Sequence, residues 1–373
     1  MSELPHLSWT EGEQILTARW RSETATPPPK RVVLADDGMT ADAAFRLASE
    51  GTALLWRGDF HNARQLLQAI ARRAERKPRK VGATPIDAFN LHRQAQSQRA
   101  RTLSMLLIPF DQGYVIPLRR APDVQQACIE AYGSDETPFV ASLRELLGVV
   151  GAHEWRKKGV EIPALAARIH PHYGVFSPVR GEYIGLVADA ELPSHELAFD
   201  IGTGTGVLAA VLAKRGVRRI IATEQDARAI ACARENLIRL GYEDYVELLQ
   251  ADLFPPGRAP LIVCNPPWVP ARPSSPIEYA VFDPDSRMLR GFLSGVAAHL
   301  TPGGEAWLLL SDLAEHLGLR SRAELLAWIT TGGLTVLGRS DVLPTHPKAR
   351  DETDALHVAR AAEVTSLWRL GVA

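Results

Sequence analysis

The sequence predicts an α/β fold divided into an N-terminal α/β domain over residues 1–160 and a C-terminal domain over 161–373 built on an open, mostly parallel sheet. Three observations predict it. Short β-rich apolar runs alternate with helical patterns along most of the chain. A glycine-rich turn joins an apolar strand to a helix at residues 202–206. Around that turn, successive strands close on Asp200, Glu224, Asp252 and Asn265. At 373 residues and 46% hydrophobic content, the chain is long enough for two cores.

In the N-terminal domain, residues 1–30 read as an ordered lead-in that stops at the stiff run Pro27, Pro28, Pro29. Short apolar runs predict strands at 31–34 and 52–56, and helical spacing predicts helices at 41–49 and about 62–76. The polar stretch 77–98 reads as a loop, and 102–118 as two strands around an Asp111-Gln112-Gly113 turn. Helical pattern returns at 123–132 and 138–147. Without a glycine-rich loop or strand-end acids, the domain is assigned no cofactor. Between Arg57 and Arg101, eleven Lys or Arg face three acids, an excess able to follow a phosphate backbone. A solvated helix face is the plainer reading. No aromatic residue interrupts 71–80, so no stacking platform for single strands is expected.

The C-terminal domain is more explicit. An apolar strand ending at Asp200 leads into Gly202, Gly204 and Gly206, and then a helix with apolar Val207, Leu208, Val211 and Leu212. The glycines permit a tight turn and close approach of a ligand. Dinucleotide-binding folds space theirs G-x-G-x-x-G to reach a pyrophosphate. Here the spacing is G-x-G-x-G, and the preceding carboxylate would repel a diphosphate but can pair with an ammonium. A second strand over 217–223 ends at Glu224, placed to accept from both hydroxyls of a ribose, and a helix follows over 227–240. A third strand, 245–250, leads to Asp252 with Leu253 and Phe254, a carboxylate for an adenine amino group beside apolar walls. Each acid alone could be a solvated strand end; the series is harder to explain that way.

The fourth strand, 261–264, stops at Asn265, Pro266, Pro267 and Trp268. Two prolines cannot donate ladder hydrogen bonds, so the amide stands at the carboxyl edge of the sheet, where open α/β sheets bind ligands. An amide, the rigid carbonyl of Pro266 and an aromatic ring suit a planar NH2 group. A Pro-Pro turn closing over a core tryptophan is the alternative. Late strands read at 334–337 and 364–370, with the long connection 342–358 between them.

With these motifs, residues 165–373 resemble the class I S-adenosylmethionine-dependent methyltransferases, whose Rossmann-like domain is a seven-stranded sheet. Within them the chain is similar to the small-methyltransferase-domain group with an Asn/Asp-Pro-Pro-aromatic motif: HemK-like glutamine methyltransferases of release factors and ribosomal proteins, and amino methyltransferases of adenine or guanine in nucleic acids. The stretch 174–187 is similar to the segment before the glycine loop in that group, with Arg180 and Glu182 spaced like the Arg and Glu of the glutamine enzymes. The resemblance implies that Asp200, Gly202, Gly204 and Gly206 hold the methionine part of S-adenosylmethionine, with Phe176 and Arg180 in the same binding set. It implies Glu224 for the ribose, Asp252 for the adenine, and Asn265 with Pro266, Pro267 and Trp268 for the target nitrogen. In the class I fold that the chain resembles, the two late strands would be the final antiparallel pair, and the connection 342–358 between them a substrate loop. Trp268 stands where the glutamine enzymes usually have Tyr and the guanine enzymes Phe, and 282–289 lacks the paired glycines common in the glutamine enzymes.

The expected activity is N-methyl transfer to a planar NH2 of a macromolecule, a nucleic-acid base being favoured narrowly over a protein glutamine. Such a site needs positioning and electrostatics, not a Ser-His-Asp, Cys-His or paired-carboxylate arrangement. A nicotinamide-dependent oxidoreductase or a silent binding module is disfavoured, since hydride transfer has no use for Asn-Pro-Pro-Trp. The net charge of −1 gives no global attraction to polyanions. Three isolated cysteines imply neither a disulfide framework nor a zinc site, and His170 and His172 lack companions at ligand spacing, so no metal is expected. No apolar run spans a membrane and no secretory signal is legible, so the cytoplasm is the expected location.

Overall fold

The computed structural model describes residues 5–76, 82–134, 137–179, 181–273, 278, 280–345 and 351–373. The chain divides into two compact units, Met1–Val81 with Asn90–Glu154, and Gly82–Phe89 with Trp155–Ala373.

The first unit is a six-stranded sheet flanked by helices. Its elements are β1 (His6–Glu11), β2 (Gln14–Trp20), β3 (Arg31–Ala35), α1 (Ala41–Ser49), β4 (Thr52–Trp56), α2 (Phe60–Glu75), α3 (Pro85–Leu103), β5 (Leu106–Phe110), α4 (Gln125–Tyr132), β6 (Phe139–Ser142) and α5 (Leu143–Lys158). The strand order is β1-β2-β6-β5-β4-β3. β3, β4 and β5 run parallel, whereas β5 and β6 are antiparallel. Every residue of β4 and of β5 is buried, and on one face Ala53, Leu55 and Leu107 pack with Leu7, Trp9 and Trp20 of β1 and β2. Thr40 and Asp59 cap α1 and α2 by accepting from the backbone N–H of Ala43 and His61.

Several expectations for this unit are corrected. The lead-in is a hairpin, β1 pairing with β2 across Gly12, whose φ of 63° a glycine tolerates. The stretch expected as a loop holds α3, which opens at Pro85 with Thr84 accepting from the Asp87 N–H. Its Gln and Arg residues are polar, yet they and its Ala residues are good helix formers. Of the two strands expected over 102–118, only β5 forms; after Asp111 the chain takes a short 3-10 turn at Gln112–Tyr114. Residues 139–142, expected as helix, are strand β6, and helix α5 starts at Leu143. The unit also has the strand-end acids it was expected to lack: Asp36 and Asp37 follow β3, Asp59 follows β4 and Asp111 follows β5. The loops, not the strand runs, carry them.

The second unit comprises β7 (Val160–Ile162), β8 (Ala167–Ile169), α6 (Glu182–Asp189), β9 (Leu197–Ile201), α7 (Val207–Lys214), β10 (Arg219–Glu224), α8 (Ala227–Leu240), β11 (Val246–Gln250), β12 (Ala259–Cys264), α9 (Arg287–His299), β13 (Leu300–Ser311), α10 (Leu313–His316), α11 (Arg322–Thr331), β14 (Leu334–Val342), α12 (His357–Ala361) and β15 (Thr365–Val372). Its seven-stranded sheet has the order β11-β10-β9-β12-β13-β15-β14. The first five are parallel and β15 is antiparallel to both neighbours, as the expected final pair requires.

Alternate residues serve opposite faces. Ala198, Ala222, Val263 and Trp307 pack with α6, α7 and α8, while Phe199, Ile221, Ile262 and Leu308 pack with α9 and α11. After β11 the chain returns to the other side of β9 to form β12, so the order reverses between those two strands. A crevice at the carboxyl ends of strands follows from that reversal. Among the described residues, no helix is long and apolar enough to cross a membrane.

Candidate active site

Sheet register brings the polar strand ends into one row. Asp200 lies opposite Ala222 and Val263, Glu224 opposite Gln250, and Asn265 follows Cys264, which lies opposite Ile201. Asp252 stands two residues past the end of β11. All four therefore line the carboxyl edge across β11, β10, β9 and β12.

The turn after β9 is fixed by its own backbone. The N–H groups of Gly202 and Thr203 both donate to the Thr223 carbonyl, at 2.9 and 3.0 Å, and Gly206 N–H closes onto the Thr203 carbonyl. Gly202, Gly204 and Gly206 have φ of 73°, 55° and 79°, the left-handed region. They differ in surroundings. A Cβ on Gly206 would press on Ala233 at 3.3 Å and one on Gly202 on the Met288 methyl, whereas one on Gly204 would meet nothing within 4 Å. Gly206 thus serves packing of α7 against α8, and Gly204 leaves the backbone open to a ligand.

The acids hold this turn from below. Asp200 is buried, and its Oδ2 accepts from the Thr203 hydroxyl at 2.6 Å and the Ala209 N–H at 3.1 Å. Burial pushes its carboxyl up to about 6; the two hydrogen bonds oppose that rise, and the nearby Glu224 adds to it. Glu224 Oε2 accepts from Gly204 N–H at 3.1 Å, and Oε1 from Gln225 N–H at 2.8 Å. Asp252 is exposed and takes Arg287 at 2.8 Å as well as the Gln225 amide. Phe254, expected as a wall beside it, instead stacks on His299 and Phe292 of α9.

At the end of β12 the Asn265 amide is half-buried and Pro266 is buried. The Trp268 indole Nε1–H donates to Asn265 Oδ1 at 2.9 Å. Its ring, expected as a stacking surface, meets Tyr183 edge-on, with centroids 6.3 Å apart and planes at 89°. The buried Tyr183 hydroxyl lies against the Asn265 amide. Burial, reinforced by the charge of Asp200, raises the Tyr183 phenol above its ordinary value, so it stays protonated.

Other expected residues fall as follows. Phe176 is half-buried, in a segment whose Val175 packs on Ala229 and Cys232 of α8; Arg180 lies outside the described residues. Glu182 Oε1 accepts from the N–H and hydroxyl of Thr345, at 2.8 and 2.9 Å, which ties the 342–358 connection to the start of α6. Further along that connection Leu356 packs with Val269 and Phe282, just beyond the Asn-Pro-Pro-Trp stretch. Residues 346–350 lie outside the described residues. His170 bonds the Arg156 carbonyl through Nδ1, and His172 pairs with Glu235 at 2.8 Å. Among the described residues no group of three His, Cys, Asp or Glu side chains is arranged for a metal ion.

Three residues at the site were not read from the sequence. Tyr183 looked like one apolar position of a helix. Asp283, buried, accepts from the N–H groups of Met288 and Leu289, starting α9 so that Met288 covers Gly202. Arg287, one residue earlier, reaches Asp252. An Asp directly before a Pro, as at Asp283-Pro284, is a helix-start signal that could have found it.

Residues 167–322 match the family of the methyltransferase small domain, a span that holds the glycine turn, the three acids and Asn265. Over this span the chain is similar to the class I S-adenosylmethionine-dependent methyltransferases, and the sheet order of the second unit agrees with that fold. A release factor glutamine methyltransferase from Cereibacter sphaeroides is 34% identical over 35% of this chain and 51% of that protein. A ribosomal protein L11 methyltransferase from Sorangium cellulosum is 28% identical over 54% of the chain and 64% of that protein. A tRNA1(Val) (adenine(37)-N6)-methyltransferase from Bacteroides thetaiotaomicron is 32% identical over 35% and 59%. The chain thus spans 51% to 64% of the length of these curated relatives. Their names cover protein and nucleic-acid substrates alike, so the methyltransferase domain by itself does not choose between them.

Proposed function

We propose that the protein is an S-adenosylmethionine-dependent N-methyltransferase acting on a planar NH2 group of a macromolecule, and that this group belongs to a nucleic-acid base. The observation that carries methyl transfer is the Asn265-Pro266 strand end standing one strand from the open Gly204 turn, at the reversal of strand order. Asp252, Glu224 and Asp200 follow in the order of adenine, ribose and methionine along the cofactor, over two strand spacings or roughly 10 Å. Gly204 gives its backbone room, and the Asp200 carboxylate suits the cofactor's ammonium. The cofactor supplies a methyl group on a sulfonium.

An aryl or amide NH2 has its lone pair delocalised and is a poor nucleophile. Asn265 Oδ1 and the Pro266 carbonyl accept its two N–H groups, drawing the nitrogen toward tetrahedral geometry and localising the pair for attack on the methyl. Nitrogen–carbon bond formation accompanies sulfur–carbon cleavage, and the extra proton leaves to solvent. The chain's contribution is preorganised acceptors and exclusion of other poses.

The first unit supports the nucleic-acid reading. Arg57, Arg73 and Arg99 are paired with Glu11, Asp42 and Glu75, but Arg64, Arg72, Arg76 and Arg101 have no acidic partner within 4 Å among the described residues. On this reading the unit recognises the polyanion while the second unit does the chemistry. The test supplies methyl-labelled cofactor to RNA, DNA and protein from cells lacking the enzyme. Label in RNA or DNA, with affinity that falls steeply with salt and a slope flattened by reversing Arg64, Arg72 and Arg76, is the expected result. Label in protein alone would replace this substrate with a glutamine of a translation protein, and label in none would overturn methyl transfer to a macromolecule.

A further inference from the structure

We infer that Trp268 and Tyr183 are positioning residues that lock the Asn265 amide in one orientation, the indole taking one lone pair of Oδ1 and leaving the other for the target nitrogen. The inference rests on the N-methyl transfer reading of the site and adds to it what makes the acceptor an acceptor.

The terminal torsion of an asparagine is broad and nearly two-fold, so a free amide would offer the target NH2 its own NH2 as readily as its oxygen. Half of such encounters would set donor against donor. An indole N–H can only donate. The amide atom 2.9 Å from Trp268 Nε1 must therefore be oxygen, which fixes Nδ2 on the other side. The Tyr183 hydroxyl also hydrogen-bonds the Asn265 side chain, bracing the amide from α6.

Both rings are themselves held. Tyr183 is 3% exposed on α6, and Trp268 is packed against the core clusters on both faces of the sheet. Their edge-to-face contact braces one against the other. A phenylalanine at 268 would keep that contact and supply no donor. The tryptophan therefore does something its apolar bulk does not explain.

Trp268→Phe is expected to lower kcat about tenfold, one net hydrogen bond's worth, with KM for S-adenosylmethionine within about twofold of wild type. Tyr183→Phe should lower kcat less, in the same sense. In an Asn265→Ala background Trp268→Phe should cost nothing more, whereas a purely structural ring would cost the same in both backgrounds. A readout independent of activity is the indole N–H resonance of Trp268 in a proton–nitrogen spectrum, assigned among the eight tryptophans by its loss in Trp268→Phe or its shift in Asn265→Ala. It should be protected from solvent exchange in the wild type and lose protection in Asn265→Ala. An indole resonance indifferent to Asn265, or equal kcat losses in both backgrounds, overturns the inference. A wild-type enzyme that methylates nothing overturns the function reading instead, and the spectrum still decides whether the lock exists.

Discussion

In the first unit, a Cβ added to Gly58 after β4 would lie 2.5 Å from Asp37 Oδ1 and 2.8 Å from the Asp37 backbone nitrogen; in the second, one added to Gly204 after β9 would meet nothing within 4 Å. Both glycines follow a parallel strand, and both edges carry acids. In the first unit two of those acids, Asp37 and Asp59, are engaged by the fold itself. Asp59 is buried, caps α2 and takes Arg120 at 2.7 Å, and Asp37 accepts from the Asp59 N–H and the Asn62 amide. In the second, Asp200 and Glu224 also accept internal hydrogen bonds, but those bonds draw a glycine turn into an open, left-handed arch. Acids at strand ends are thus shared by both edges, and what separates them is backbone left uncovered above the acids.

The largest expected effect tests the end of that open edge. Asn265→Ala removes the acceptor of the target nitrogen without touching the row of acids, and should lower turnover roughly a hundredfold or more. Cofactor affinity, read by calorimetry, should be unchanged. Equal losses in both would place Asn265 in the cofactor site rather than at the reacting nitrogen.

Asp200→Asn comes next and uses pH to sharpen the contrast. The folded carboxyl is pushed up to about 6, above the ordinary value near 4 that it regains on unfolding. The native state therefore binds the proton more tightly, and the stability Asp200 contributes is full below about pH 4 and is lost as pH rises through about 6. Pairing with an ammonium needs the carboxylate, so cofactor affinity should run the other way and climb as pH rises through about 6. Asparagine should abolish that climb and weaken binding by about tenfold or more, the worth of a charged hydrogen bond. Glu145 in the first unit is also raised to about 6 by burial, so melting curves report both groups while affinity reports Asp200. A wild-type affinity flat between pH 5 and 8 would sink the assignment.

How much of this was legible in the sequence follows the same division. The second unit advertises itself locally: short apolar strand runs, Gly241 and Asp226 bounding α8, and prolines ending β12 are each decided by a few neighbouring residues. Asp200, Glu224, Asp252 and Asn265 came into one row because a parallel sheet aligns strand ends automatically. Tyr183 did not, because its partner Asn265 is far along the chain and nothing in α6 marks one apolar position as polar-tipped for a reason. In the first unit β6 was missed for a related cause. Phe139–Ser142 is a strand because β2 and β5 flank it, a non-local fact, while its residues also suit the helix that follows. α3 is hidden by composition, since a run rich in Gln and Arg suits a loop as well as a solvated helix.

The paired glycine substitutions break the comparison most directly. Gly204→Ala adds a methyl to empty space but keeps φ at 55°, at roughly 1 to 2 kcal/mol of backbone strain. It should lower cofactor affinity several-fold, because the methyl sits where the ligand approaches. Gly58→Ala forces Asp37 aside and should cost about 1 to 3 kcal/mol of stability by overpacking. Cofactor affinity should not change. If Gly58→Ala weakened the cofactor and Gly204→Ala did not, the open edge would be the wrong one.

Asp36→Ala carries the smallest expected effect. Asp36 follows β3 much as Asp200 ends β9, but it is exposed and its described hydrogen bond is a turn of its own, accepting from Gly38 N–H at 2.9 Å. Removing it deprives an exposed N–H of a partner that water replaces. Melting should stay within about 2 °C of wild type, as for surface substitutions generally. Cofactor affinity and turnover should be unchanged. A fall in S-adenosylmethionine affinity on this substitution would be the most informative surprise, because it would mean that the first unit's strand-end acids bind as well as fold, and that a covered glycine does not close an edge to a ligand.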